Sequence, residues 1–210
     1  MNSINRLIGL LFMLLFAQAT WAQSAPPESP FALPADKTPE QLLALVAINF
    51  GVREFKNGAY DKASRYFIES KRLDPSLLNA RLYLATVYAA QYVPGTTTEE
   101  NAKRGEMSTQ EFRDALRTAP ENLSAIDGLG SILYKLAGTT FDSTKIEESK
   151  SLFKKYTQIA GNDAEPYYWV GAIDWTTSYR VKKKLLSEFN ESNKDKPLAD
   201  TDPLPEDLRK

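Results

Sequence analysis

Apolar residues fall into two kinds of pattern along this chain. The first is one short continuous run, Leu7 to Ala17; the second is a series of helix-period stretches from about residue 40 to residue 192, separated by clusters of Asn, Asp, Gly and Pro. Thr38-Pro39-Glu40-Gln41 opens the series: threonine as N-cap, proline pre-set for the first helical position and glutamine completing a capping box. The stretch holds no breaker until Asn57-Gly58. A second helix is expected from about Tyr60 to Leu73, with Ala63, Phe67 and Ser70 on one face and Asp74-Pro75-Ser76 as its stop.

The pair then repeats. Ser76 is the expected N-cap of a helix through SLLNARLYLATVYAAQ, closed by a Pro94-Gly95 turn. Thr97-x-x-Glu100 reads as a capping box opening a long helix that carries Phe112, Ala115 and Leu116 up to Ala119-Pro120. After Asn122 comes LSAIDGLGSILYKLAG, and near Thr144-x-x-Glu147 a partner helix with Phe153, Tyr156 and Ile159 that meets Gly161. Asp163 caps AEPYYWVGAIDWTTSY, and RVKKKLLSEFNES, residues 180–192, is expected as a separate capping helix with Val181, Leu185 and Phe189 on one side.

These spacings carry a resemblance. Phe50-Gly51, Gly58, Tyr60, Ala63-x3-Phe67 and Pro75 follow a known order, and Leu84-Ala85-x2-Tyr88 with Phe112, Ala115 and Pro120 follow it again. Leu129-Gly130 with Phe153 and Tyr156, then Val170-Gly171, give looser versions. The chain resembles the tetratricopeptide repeat family, whose signature is W-x2-L-G-x2-Y, A-x3-F and P. It departs from that family at Glu54, at Ser108 and Ser149 in place of alanine, and at Gly161 in place of proline.

The resemblance implies an all-α fold, a right-handed solenoid of about three and a half helix-turn-helix repeats. The repeats are expected at about 40–77, 78–122, 123–163 and 164–192. The long gap from Pro75 to Pro120 predicts that the second helix of repeat two, and to a smaller degree that of repeat three, is extended by whole turns or by its preceding loop. Small residues Gly51, Ala85, Gly130 and Gly171 are expected where backbones approach, with Phe67, Phe112 and Phe153 filling the gaps between helices.

First helices then line the concave side, which selects the candidate binding residues: Asn79, Tyr83 and Thr86 in repeat two, Asp127, Ser131 and Tyr134 in repeat three, Tyr168, Trp175 and Tyr179 in repeat four. A groove with these aromatics suits a protein or peptide partner, because rigid rings give large contact area at small entropic cost. The same aromatics also suit packing against neighbouring helices. In repeat one, Leu45, Ile48, Val52 and Phe55 predict an apolar inner stripe, to be covered by Phe31 and Leu33 folding back or by a partner. Some members of the family hold a terminal carboxylate with Lys, Asn and Arg on successive first helices. The matching positions here include Ile48, Val52, Tyr83, Ser124 and Gly128, so the resemblance implies no such clamp.

Composition narrows the chemistry. The chain has no Cys and no His, which excludes disulfides, thiolate nucleophiles, Cys/His zinc sites and imidazole bases. The formal net charge of −1, without long like-charge blocks, gives no reason to expect nucleic acid as partner. No cofactor, metal or catalytic residue is expected, and the chain is read as a scaffold, not an enzyme. Carboxylate-based glycan cleavage is the enzymatic alternative. A glycan-binding module using Tyr168, Trp169 and Trp175 is the other alternative.

The ends complete the reading. Arg6, the Leu7–Ala17 run and small residues at Thr20 and Ala22 have the layout of a secretory signal peptide cleaved after Ala22, too short in its apolar part for a membrane span. A periplasmic or secreted protein of bacterial type is therefore expected, without a lipidation cysteine. Residues 23–37, with prolines at 26, 27, 30 and 34, read as a linker, and residues 193–210 as a polar, proline-rich, extended tail.

Overall fold

The protein's structure, a computed structural model, describes residues 36–208. The expected leader and the linker positions Phe31 and Leu33 lie outside the described residues. The described part of the compact unit that starts at Pro39 contains seven α-helices and, among the described residues, no strand. The helices are α1 (Pro39–Lys56), α2 (Tyr60–Leu73), α3 (Leu78–Gln91), α4 (Glu99–Thr118), α5 (Leu123–Thr140), α6 (Ser143–Ile159) and α7 (Ala164–Ser192), followed by a 3₁₀ turn at Glu206–Leu208.

Each helix packs most extensively on its chain neighbours, pairing α1 with α2, α3 with α4 and α5 with α6, and each pair stacks on the next. The first helices also touch one another, α1 on α3 and α3 on α5. This is an α-solenoid with the first helices on the inner row, the arrangement that a one-faced helical hairpin needs in order to bury its apolar side.

Three core clusters sit at the junctions. Phe67, Leu84 and Tyr88 lie in the first, Phe112, Leu129 and Ile132 in the second, Ile146, Phe153 and Ile173 in the third. Each junction phenylalanine reaches the next first helix at the same offset along the chain. Phe67 stacks on Tyr83 with centroids 5.2 Å apart, Phe112 lies over Gly128, and Phe153 stacks on Trp169 at 5.6 Å. Phe67 and Phe153 also press on Gly51 and Gly130 of their own repeats, where an added Cβ would stand 2.5 and 2.9 Å from the ring. Burying one such ring is worth roughly 1.5–3 kcal/mol.

The serines that depart from the family pattern have a structural use. Ser108 Oγ donates to the Ala85 carbonyl at 2.9 Å and Ser149 Oγ to the Gly130 carbonyl at 2.8 Å, both fully buried at the crossing of second helix on first. In repeat one, where Ala63 stands at the position of those serines, Ser70 Oγ makes a bond of the same kind at a different point of the crossing, to the Ala44 carbonyl at 2.9 Å. Between repeats, Glu111 of α4 pairs with Lys71, Arg113 with Glu148, and Lys150 with Asp174, while Arg81 of α3 pairs with Glu111 within repeat two.

Helix lengths follow the spacing argument: α2 has 14 residues, α4 has 20 and α6 has 17. The rest of the excess in repeat two is the loop after α3, where Gly95 adopts φ +83° in the Pro94-Gly95 turn. Buried Asn101 holds this loop. Its Oδ1 accepts from the Val93 amide at 2.8 Å and its Nδ2 donates to the carbonyls of Val93 and Thr96 at 2.9 and 2.8 Å.

Several sequence expectations are corrected. Ser76 does not cap α3: Leu77 holds that position without a side-chain bond, while Ser76 donates through N and Oγ to Asp74 Oδ1. The cap of α4 is Thr98, not Thr97, because the third residue after it must be Asn101 for the loop to close. The cap of α6 is Asp142, not Thr144, and accepts from the Lys145 amide. Asp163 caps α7 as expected, and Asn122, the residue before α5, caps that helix by accepting from the Ala125 amide. Helix α5 passes Gly138 and ends at Phe141, a left-handed residue at φ 51° whose ring lies 4.8 Å beneath the Arg180 guanidinium. Ile159 is exposed. Gly171 has open space around it, and residues 180–192 continue α7 without a break.

Candidate functional site

The inner face is built from the outward-looking positions of α1, α3, α5 and α7. Repeat one does not present the open apolar stripe expected of it. Ile48 is buried in the first core cluster, Val52 and Phe55 pack against the same cluster, and Leu45 is half-buried.

Asn79, Tyr83 and Thr86 are exposed along α3. Tyr83 is 40% exposed, with its ring stacked on Phe67. Thr86 donates to the Leu82 carbonyl at 2.8 Å within its own helix.

On α5, Asp127, Ser131 and Tyr134 are only half-buried. Burial, then the charges of Glu165 and Asp163, raises the Asp127 carboxyl above its ordinary range. Both neighbours are engaged: Asp163 accepts from the Glu165 amide and from the Tyr156 hydroxyl at 3.0 Å, and Glu165 accepts from the Trp169 indole at 3.5 Å. Tyr134 is tied to the next repeat. Its hydroxyl shares a 3.0 Å hydrogen bond with Thr176, and its ring meets Trp169 edge-on at 5.8 Å.

Helix α7 is the most open. Tyr168 is 68% and Trp175 69% exposed, and Trp175 stacks with Tyr179 at 5.4 Å, nearly parallel. Trp169 differs from its neighbour Tyr168. Its indole lies flat on Phe153 in the third core cluster and cannot offer both faces as a sugar platform. Of the nine candidates, six are thus exposed on first helices, and three form the half-buried floor between repeats three and four.

Sequence reasoning missed the segment that returns beside Trp175. The chain after Ser192 is fastened to α7: Asn190 Nδ2 donates to the Leu198 carbonyl at 2.9 Å, and Asn190 Oδ1 accepts from the Leu198 amide at 2.7 Å. Lys182 donates to the Asp200 carbonyl at 2.8 Å, and Lys183 pairs with the Asp200 carboxylate. The one sequence signal is polar and local: Lys182-Lys183-Lys184 on the helix, Asp200 and Asp202 on the tail.

Among the described residues, no group of His, Cys, Asp and Glu has the arrangement of a metal site, and no helix is long and apolar enough to cross a membrane. No protein-family model matches the chain, and no curated protein matches it. Solved structures do. The first TPR of Spaghetti (RPAP3) bound to HSP90 peptide SRMEEVD superposes with TM-score 0.55 at 19% identity, over 66% of this chain and 95% of that one. The second TPR domain of human RPAP3, in complex with HSP70 peptide SGPTIEEVD, gives 0.52 at 15% identity over 64% and 98%. The Sgt2 TPR domain from Aspergillus fumigatus gives 0.51 at 16% over 80% and 91%. The fold of this chain is therefore an all-α, tetratricopeptide-like solenoid, similar to domains solved with peptides bound.

Proposed function

We propose that the chain is a scaffold that binds an extended protein or peptide segment along its inner face. The observation that carries this reading is the set of aromatic rings that stay exposed on the first helices, Tyr83, Tyr168, Trp175 and Tyr179. Large, rigid, partly polar rings flanked by hydrogen-bonding side chains such as Asn79 are the chemistry that anchors peptides. The solved RPAP3 domains with peptides bound support the same reading.

Ligand selectivity differs from a terminal-carboxylate binder. Positions expected to carry Lys, Asn and Arg hold Ile48, Val52, Tyr83, Ser124 and Gly128 here, and the half-buried Asp127 adds negative charge. None of those five positions offers a cation to an acidic peptide terminus, so side-chain anchoring by aromatics takes its place.

The leader sequence supports export, to the periplasm or beyond, as part of this reading. Fractionation of cells expressing the full chain, with the new N-terminus determined, tests it: a start at Gln23 in the exported fraction supports it, and an intact Met1 in the cytosol contradicts it. The binding reading is tested by isothermal titration of library-selected peptides into the full chain and its Tyr83→Ala variant. Loss of at least about tenfold in affinity, roughly 1.4 kcal/mol, is expected for the variant. Unchanged affinity contradicts the groove.

A further inference from the structure

We infer that the Trp175–Tyr179 face of α7 is a docking surface for an extended, acidic segment containing proline and leucine, and that the chain's own tail already sits on it as an internal copy of that ligand. The inference rests on the peptide-binding reading but concerns only the last repeat.

Trp175 and Tyr179 lie one turn apart on α7, and their nearly parallel, stacked and exposed rings form an aromatic plate. The tail turns after Ser192 and comes back along the helix. Asn190 binds both the N–H and the C=O of Leu198, a contact that reads backbone and accepts any extended segment. Next, the Lys182 and Lys183 ammoniums take the Asp200 carbonyl and carboxylate, and Asp202 closes a turn by accepting from the Ala199 amide at 2.8 Å. The tail then reaches the plate: Trp175, Ser178, Tyr179 and Lys182 from the helix, and Pro203 and Leu204 from the tail, line an open cleft of about 600 Å³.

Each element of this path has a recognition role. Backbone capture by Asn190 and Lys182 sets direction, Lys183 selects a carboxylate, and the plate takes a ring-stiffened apolar pair. Prolines lower the ordering cost of such a ligand because their backbone is already restricted.

The contact is displaceable. Its ion pair is exposed to solvent, and surface pairs of this kind add little to stability. Trp175 stays largely exposed beneath the tail. What holds the tail is its tether, since linkage by a short segment gives an effective concentration on the order of millimolar. A partner with the same chemistry therefore competes with the tail, and the tail sets the threshold for binding.

The test is a titration with a synthetic peptide of residues 196–208, KPLADTDPLPEDL. It is added to the full chain and to the full-length Asp200→Ala/Pro203→Gly/Leu204→Gly variant, with helicity checked by circular dichroism. The variant is expected to bind the peptide about tenfold or more tighter than the unaltered chain, as release from a millimolar tether allows. Adding Trp175→Ala should remove that binding, as should a peptide with glycine in place of its last Pro-Leu-Pro. Equal affinity for the two chains, no binding to either, or binding indifferent to Trp175→Ala overturns the inference. Mapping of library peptides to Tyr83 would be untouched by that failure, so the broader reading is judged separately.

Discussion

The Ser149 hydroxyl donates to the carbonyl of Gly130 at 2.8 Å, joining α6 to α5 at the point where Phe153 presses on the same glycine. The equivalent bond joins Ser108 to Ala85 in the repeat before. Ser149→Ala should lower stability by about 1 kcal/mol, the usual net worth of one neutral hydrogen bond, while the exposed control Ser151→Ala should stay within about 0.5 kcal/mol. Urea unfolding midpoints at constant m-value check both.

Gly128 and Gly171 are both helical glycines on first helices, yet they predict opposite signs. A Cβ at Gly128 would sit 2.2 Å from the Phe112 ring, whereas nothing lies within 4 Å of one at Gly171. Gly128→Ala should therefore cost about 1–3 kcal/mol through overpacking, and Gly171→Ala should stabilise by up to about 1 kcal/mol through helix propensity. Thermal unfolding of the two single variants tests the pair.

Asn101→Ala should cost more than a surface change, about 1–3 kcal/mol, because removing the buried Asn101 side chain deprives the Val93 amide and two carbonyls of their partner at once. Hydrogen exchange at the Val93 amide should accelerate well beyond that of amides in α2. Unchanged protection there would contradict the assigned role.

Asp127 makes stability depend on pH in a definite direction. Its carboxyl is raised in the folded state by burial, then by Glu165 and Asp163, relative to an ordinary unfolded value. Folding is therefore disfavoured once pH rises through and above the folded value, and the penalty is relieved as pH falls toward the unfolded one. Asp127→Asn should be more stable than the unaltered chain at pH 7, with the difference shrinking as pH drops toward the ordinary carboxylate range. A difference that grows on acidification would reverse the assignment.

Much of the fold was legible because steric demands repeat. Phe67 over Gly51, the Asn57-Gly58 stop and the Asn122 and Asp163 caps are local signatures that tertiary context left in place. Cap choice failed where neighbours were chemically equivalent. Thr96, Thr97 and Thr98 differ only in which one lets Asn101 reach Val93. Gly171 holds the position of Gly51 and Gly130, but among the described residues no α-helix follows α7 to bring a phenylalanine against it.

The candidate site was legible only in part for the same reason. Tyr134 and Tyr168 have the same helical credentials, and what separates them is the following repeat, whose Thr176 and Trp169 cover Tyr134. The returning tail carried no periodic signal at all, since its attachment to Asn190 runs through backbone groups that any residue supplies.

The central claim is that the inner row of first helices is where a peptide binds. It is tested most directly by amide chemical-shift mapping of the full chain with a peptide selected from a random library. The account predicts that the perturbed residues gather on α3, α5 and α7 around Asn79, Tyr83, Tyr168 and Trp175, and that Tyr83→Ala weakens them. Perturbations confined to the outer helices α2, α4 and α6, with Tyr83→Ala silent, would contradict it.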